Sequence, residues 1–366
     1  METVTCDLLI IGGGPAGASA AITAARAGAR VVLLERGRFP RHKVCGEFVS
    51  SESLELLAAL LDSGHSALLR DATRILQARL FLDGRVLRTV IQPPAASIAR
   101  LDLDAALWDA AISAGVEARQ QTTVQSLAGS GPFQLATSAG EFEARTVIDA
   151  SGRWSNLNAS PNGTQRKKWL GVKAHFAEAS PNPSVDLYFF DGGYCGVQPV
   201  KLEKAGSSGR VNACAMVRAE VASTLPDIFA RHPELHQRSR HWQQLSEPVT
   251  TSPLIFRDPR PEREGALMVG DAAGFVDPFV GDGISLALRS GTMAAQCLIP
   301  FFRAEVTLRE AVASYRQSYQ ERLAPIFRAS SRIRRMLVLP RVLRGPLLFL
   351  LQNNPALTRY VVSKTR

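Results

Sequence analysis

Residues 4 to 11 (Val-Thr-Cys-Asp-Leu-Leu-Ile-Ile) are almost continuously apolar over the length of one strand, which predicts a buried strand at the start of the chain. Ala16 to Ala27 then predicts a helix, and Arg30 to Leu34 a second strand. Beyond the loop Phe39-Pro-Arg-His-Lys-Val-Cys-Gly-Glu47, a polar-capped helix is expected near Ser51 to Leu61. Residues 74 to 92 alternate in short β-like runs about the turn Asp83-Gly84. Asp102 is placed to cap a helix from about Leu103 to Ala114, ended by Gly115. Strand signals follow at Thr122 to Leu127, Phe133 to Thr137 and Thr146 to Asp149, the last running into Ala150-Ser151-Gly152-Arg153-Trp154-Ser155.

From Trp169 to about Phe256 the pattern changes. Leu170 to Phe176, Val185 to Phe190, Gly193 to Val200 and Arg210 to Val217 read as strands separated by Pro, Gly, Asn and Ser clusters, with a helix-like stretch from Leu225 to Leu245. A buried strand at Ala266 to Gly270 returns the chain to its first domain, and alanine- and leucine-rich helices follow. The predicted fold is α/β: a Rossmann-like, three-layer domain with a parallel sheet, a second and mostly antiparallel β-sheet domain facing the substrate, and a helical C-terminus. The expected boundaries are 1-73, 96-165 and 258-300 for the discontinuous first domain, 74-95 and 166-257 for the substrate domain, and 301-366 for a basic helical region.

Chemistry enters at the turn after the first strand, Gly12-x-Gly14-x-x-Gly17. Gly12 permits the tight turn, Gly14 removes a Cβ that would block a pyrophosphate, and Gly17 lets the helix pack closely on the strand. Pro15 and Ala16 open the helix, whose unpaired N–H groups and positive dipole end face the phosphates. Glu35, at the end of the second strand, can accept hydrogen bonds from a ribose hydroxyl and would repel a 2′-phosphate, so the turn suits FAD or NAD rather than NADP. Roughly 250 residues later comes Gly270-Asp271-Ala-Ala-Gly274-Phe-Val-Asp277-Pro278-Phe279-Val280-Gly281-Asp282-Gly283-Ile284. Asp271 can accept from a ribityl chain, and Gly281 and Gly283 open a helix aimed at a flavin's pyrimidine carbonyl, where negative charge grows on reduction. The pair of motifs points to FAD.

With 366 residues, the chain has room for about two domains. A content of 46% hydrophobic and 21% charged residues describes an ordinary soluble globular protein. The five cysteines are scattered without a C-x-x-C pair, so neither a disulfide framework nor a metal site is expected. The first strand starts within a few residues of Met1 with no secretory signal before it, so a cytoplasmic location is expected. The net charge of +10 is concentrated at one end: Glu321 to Arg366 holds ten Lys or Arg and one acidic residue. Apolar patches there, Met336 to Leu339 and Pro346 to Leu351, fall short of the roughly 20 residues of a spanning helix. Such a tail either packs on the body with a solvated basic face, or rests peripherally on an anionic membrane or an acidic carrier protein. Nucleic acid is not expected as a partner.

Together these motifs resemble the glutathione-reductase-like flavoproteins, and among them the group of aromatic hydroxylases, geranylgeranyl reductases and flavin-dependent halogenases. The likeness spans residues 4 to about 292 and rests on the first glycine motif, Glu35, Arg41-x-Lys43-x-Cys45-Gly46-Glu47, Arg100, Asp149 to Ser155, and Gly270 to Ile284. It implies that Arg41 and Arg100 lie near FAD and that Cys45 and Gly46 lie near its isoalloxazine. The cofactor-binding set it implies is completed by Arg36, Lys43, Val124, Ala150, Gly152, Gly270 and Pro278. Two departures stand out. The hydroxylases' Gly-Ala-Asp-Gly is here Asp149-Ala150-Ser151-Gly152, a form more like the halogenases, and the halogenases' Trp-x-Trp-x-Ile-Pro is here Tyr194-Cys195-Gly196-Val197-Gln198-Pro199 without either tryptophan.

The leading expectation is an FAD-dependent monooxygenase acting on a hydrophobic small molecule (a polyketide, phenol or isoprenoid) through reduced flavin and its C4a-hydroperoxide. A geranylgeranyl-reductase-like C=C reductase, a halogenase-like enzyme and a flavin-binding module without turnover are the alternatives. NAD(P)H is the expected electron donor, directly or through a separate flavin reductase. Cys45, Tyr194 and Gln198 are the candidate catalytic residues, with Tyr188, Cys195, His42 and Lys43 expected to line the same face.

Overall fold

A computed structural model of the chain describes residues 4–61, 63–153, 168–201, 209–254, 256, 258–339, 342–346, 349 and 354. Trp154, Ser155 and most of the tail beyond residue 346 lie outside them. Two sheets organise the fold. The first has a parallel core in the order Ala266–Met268, Gly140–Asp149, Val4–Ile11, Val31–Leu34 and Glu117–Arg119. Glu262–Arg263 pairs antiparallel at one edge, and the hairpin Val124–Gly129 and Phe133–Thr137 branches from Gly140–Asp149.

The unbroken apolar run of the first strand is explained by what covers it. Leu8 and Ile10 pack into the helical side, while Cys6, Leu9 and Ile11 pack with Val124, Phe133 and Leu135, because the hairpin folds across the other face. On the helical side Pro15–Arg26 crosses Gly283–Phe302 at very short range. A Cβ at Gly291 would lie 2.0 Å from the Ala16 carbonyl oxygen and 2.4 Å from Ser19 Oγ. The Ser19 hydroxyl reaches both the Ala16 and Leu288 carbonyls, at 3.0 and 3.2 Å. A following helix, Leu308–Arg322, starts at a capping box between Thr307 and Glu310, and its buried Tyr315 hydroxyl donates to the Met268 carbonyl at 2.8 Å.

The second sheet has nine strands, in the order Gln243–Gln244, Trp169–Glu178, Gly209–Arg218, Gly193–Val200, Ser184–Phe190, Thr73–Leu82, Arg85–Ser97 and Phe48–Val49, with Val249–Thr251 also on Trp169–Glu178. All neighbours are antiparallel except Ser184–Phe190 with Thr73–Leu82. Val172, Ala174, Phe176, Tyr188, Cys195, Val197 and Ala213 share one face, packed on short helices. The opposite face carries Lys173, His175, Tyr194, Gln198 and Asn212.

Three expectations need correction. The stretch from Leu225 to Leu245 is two short helices, Leu225–Phe229 and Pro233–Ser239, followed by strand Gln243–Gln244, because Pro233 cannot continue a helix and instead starts the next. Asp102 caps nothing: the helix runs Arg100–Ser113 with Ala99 at its N-cap, and Asp102 sits inside its first turn. Phe48–Val49, placed with the first domain, pairs with Arg85–Ser97 in the second sheet.

The helix crossing generates a stability prediction. Gly291→Ala gains up to about 1 kcal/mol of helix propensity, but its methyl must displace backbone, which typically costs roughly 1–3 kcal/mol. The urea midpoint should therefore fall; a raised midpoint would show that the two helices have room to separate.

Candidate active site

A single cavity of about 930 Å³ runs from the glycine turn after the first strand to the inner face of the second sheet. That is at the large end for a ligand pocket. Of the predicted cofactor residues it is lined by Gly12, Gly14, Pro15, Ala16, Glu35, Arg36, Arg41, Lys43, Cys45, Gly46, Arg100, Val124, Ala150, Gly152, Gly270, Asp271, Pro278, Gly281, Gly283 and Ile284. Gly17 is not in the wall. A Cβ there would lie 1.8 Å from the Gly12 carbonyl oxygen, so its part is helix-to-strand packing. Gly14 is different: its φ of −71° suits any residue, and its missing Cβ would face the cavity, with only Arg100 Nη2 nearby at 3.9 Å. Gly46, Gly152 and Gly283 also have open space where a side chain would stand. These clearances fit a dinucleotide laid against the backbone.

Electrostatics along this wall suit a pyrophosphate and a ribose. Glu35 Oε2 accepts from the Gly13 N–H at 2.9 Å and lies 2.9 Å from Arg41 Nη2, while its Oε1 accepts from the Gly37 N–H at 2.7 Å. Burial favours its protonated form, but Arg41 and the two N–H groups outweigh that and hold the carboxyl below its ordinary pKa. Arg100 is fixed by a bidentate pair with Asp104 at 2.6 and 2.7 Å. Burial, with Arg41 and Arg100 as neighbours, pushes Lys43 down to about 8. Asp271 lies 3.4 Å from Arg153; its enclosure raises its pKa, and Arg153, Arg100 and Lys43 pull it back. The helix starts at Pro15 and Gly283 both open onto the cavity, adding two positive dipole ends.

Behind Cys45 sits a buried charged cluster that joins the two sheets. Glu47 is fully buried and has a φ of +64°, a left-handed conformation uncommon outside glycine. Its carboxylate takes Lys173 Nζ in a short ion pair, His175 Nε2 at 2.9 Å and the Arg100 backbone N–H at 3.1 Å. Burial works against its charge, yet His175 and Lys173 hold its pKa below the ordinary value. The Glu47 N–H donates to Cys45 Sγ at 3.3 Å, Asn212 Nδ2 donates to the Cys45 carbonyl at 3.0 Å, and the His42 ring meets His175 edge-on at 5.7 Å.

On the second sheet, Tyr194 and Gln198 line the cavity as expected. Both are buried, and the Tyr194 hydroxyl and Gln198 Oε1 have no partner among the described residues, while Gln198 Nε2 donates to Ser97 Oγ at 2.7 Å. Tyr188 and Cys195 face the other way: Tyr188 stacks on Phe81 at 4.4 Å and its hydroxyl is reached by Arg238. The period of two along a strand separates Cys195 from Tyr194 and Gln198, and that signal was present in the sequence. His42 is likewise outside the cavity wall. Residues missed from the sequence include Lys173, His175 and Asp277. Asp277 is buried beside Pro278, its carboxyl pushed up to about 6 by that burial against the pull of the Phe279 N–H and of Arg334, 3.9 Å away. Ile333, Met336 and Leu337 were also missed; they bring the helix Ala324–Val338 into the cavity wall.

A parallel sheet with its glycine turn, a carboxylate at the ribose position and a second helix start facing the same cavity define a flavin-dependent oxidoreductase of two sheets. The model of the FAD binding domain family matches residues 5–329, and the chain belongs to that family. Among curated relatives, a digeranylgeranylglycerophospholipid reductase of Methanosphaera stadtmanae is 26% identical over 81% of this chain and 78% of its own. A menaquinone reductase of Mycolicibacterium smegmatis is 26% identical over 93% of this chain and 87% of its own. Among solved structures, a flavin-dependent brominase superposes with TM-score 0.79 at 20% identity over 99% of this chain and 93% of its own. A geranylgeranyl bacteriochlorophyll reductase-like protein of Thermoplasma acidophilum gives 0.78 at 19% identity over 100% and 96%. At such identities the structures establish a shared fold.

Two predictions follow from this geometry. Gly14→Ala should fold with an unchanged melting midpoint in the flavin-free protein but purify with a lower flavin-to-protein absorbance ratio, whereas Gly17→Ala should lower the midpoint itself; full flavin retention by Gly14→Ala would remove the pyrophosphate from this turn. Glu47→Gln leaves Lys173 buried without its counter-charge and should cost about 3–5 kcal/mol in chemical denaturation, with Glu47→Gln/Lys173→Met recovering a large part. A loss below about 1 kcal/mol for the single variant, the range of an exposed pair, would mean that water reaches the cluster.

Proposed function

We propose that this FAD-dependent oxidoreductase reduces carbon–carbon double bonds in the isoprenoid chain of a lipid. The observation that carries this reading is the chamber beyond the flavin cradle. It is walled by Leu80, Leu82, Leu87, Leu187, Met216 and Met336, with Arg88, Thr89 and Gln198 also in the lining. An extended hydrocarbon brings no polar group of its own into such a chamber and loses its hydration shell there. The two curated relatives described above support the same reading, since one is named a digeranylgeranylglycerophospholipid reductase and the other a menaquinone reductase.

Bound FAD supplies the two-electron transfer. The protein's residues hold the double bond against the flavin, keep water out and deliver a proton. Tyr194 is the proposed proton donor. Tyr194 lines the cavity, its buried hydroxyl has no partner among the described residues, and burial raises its pKa well above the ordinary value, so it keeps its proton until a reacting carbon takes it. Gln198 positions the neighbouring wall through Ser97. Cys45, gripped through its Sγ and its carbonyl, shapes the space between this wall and the flavin.

FAD-loaded protein, reduced chemically without oxygen and given a geranylgeranyl lipid, should yield the saturated chain. Tyr194→Phe should slow that turnover by roughly 10²–10⁴-fold, the usual worth of a positioned acid, while flavin content and flavin reduction stay unchanged. A product that forms only with oxygen and carries a new hydroxyl would overturn the reductase in favour of a monooxygenase, and a halide-dependent product would favour a halogenase.

A further inference from the structure

We propose that the basic C-terminal arm docks the protein on an anionic lipid bilayer and sets the apolar end of the cavity against it. This goes beyond the proposed reaction and does not depend on it. The helix Ala324–Val338 has two working faces. Its inner face sends Ile333, Met336 and Leu337 into the cavity wall, and Arg334 turns inward to lie 4.1 Å over the Phe256 ring and 3.9 Å from Asp277. Its outer face presents Arg328, Arg332 and Arg335, all exposed and spaced four and three residues apart, hence on one stripe. No acidic residue occurs between Ala324 and Leu339 to neutralise them.

Beyond this stripe the chain presents aliphatic side chains to water: Leu339 is 39% exposed, Val342 84% and Leu343 63%. Arg344 makes a bidentate ion pair with Asp83 at 2.6 and 2.7 Å and donates to the Leu337 carbonyl at 2.7 Å. That clasp ties the segment to the hairpin Thr73–Leu82/Arg85–Ser97, and in this arrangement Val342 and Leu343 project into water. Leu337, next to the clasp, packs with Leu82 and Leu87, which also line the cavity. A stripe of arginines beside projecting aliphatics matches a surface that lies in the lipid interface, with cations among the anionic headgroups and alkyl groups below them. An acidic protein partner would answer the arginines and leave Val342 and Leu343 without an apolar environment.

Flotation of the FAD-loaded, full-length protein tests this with vesicles of phosphatidylglycerol plus phosphatidylcholine against phosphatidylcholine alone, and it requires no turnover. Binding is expected to the anionic vesicles. With each arginine worth roughly fivefold near such a surface, Arg328→Glu/Arg332→Glu/Arg335→Glu should weaken it by at least about a hundredfold. Val342→Glu/Leu343→Glu, which keeps those cations, should abolish the part that survives raised salt; flavin content and melting midpoint confirm that each variant is folded. Absence of binding to the anionic vesicles overturns the proposal, as does equal binding by Val342→Glu/Leu343→Glu. Retention on an acidic acyl carrier protein without vesicle binding also overturns it and assigns the arm to a protein partner.

Discussion

Glu47 is cut off from water, and three parts of the molecule meet on it. Lys173 and His175 reach it from the second sheet, the Arg100 N–H from the start of a helix on the first, and Cys45 from the loop between them. A buried carboxylate is tolerable only when its neighbours replace its lost hydration, so Lys173, His175 and the Arg100 N–H have to stay where they are, while Cys45 Sγ accepts from the Glu47 backbone N–H. The loop that carries Arg41, Lys43 and Cys45 is thereby fixed between the sheets, and the cavity keeps its shape where flavin and substrate must meet. The left-handed backbone at Glu47 is held by the same bonds, with its carbonyl accepting from the Ile98 N–H at 3.0 Å.

The cavity that results has two chemical characters. Near the first sheet it offers backbone N–H groups, two helix starts and the cations Arg41, Lys43 and Arg100. Near the second sheet and the C-terminal helix it is aliphatic. The charged end has the groups that a dinucleotide's phosphates require, and the apolar end is where the proposed substrate would lie. The C-terminal helix belongs to this design as much as the glycine turns do, because its inner face closes the chamber that its outer arginines flank.

Much of this was legible in the chain. The glycine spacing, Glu35 and the Gly270 to Ile284 segment pointed to a flavin site, and of the predicted cofactor residues the structure brings all but Gly17 to one cavity. The Gly17 contact with Gly12 shows why both kinds of glycine share one motif: one keeps space for a ligand, the other for a helix. Lys173 and His175 were hidden because polar residues alternating with Val172, Ala174 and Phe176 read as the wet side of a strand. Only the loop that covers them, brought from more than a hundred residues away, makes that side dry. Cys195 was misplaced by treating a strand as one lining surface, although the period of two already sent it to the opposite face, and Tyr188 follows it there because the two residues pair across neighbouring strands. The motifs describe the cofactor and so reach the FAD-dependent oxidoreductase class, whereas the reaction and its substrate depend on the chamber that the second sheet and the C-terminal helix build.

Local rules account for what the sequence determined by itself. A strand–turn–helix with glycines at fixed offsets needs only neighbouring residues to form, so the cofactor class and the two-sheet α/β plan could be read from short segments. Tertiary structure decided the rest: the burial of Glu47, the burial of the Tyr194 hydroxyl without a partner among the described residues, and the use of Ile333, Met336 and Leu337 as chamber wall. Each depends on which distant surface comes to cover a residue, and burial, which sets charge, proton affinity and apolar complementarity, is a property of the assembled fold and not of any stretch of chain.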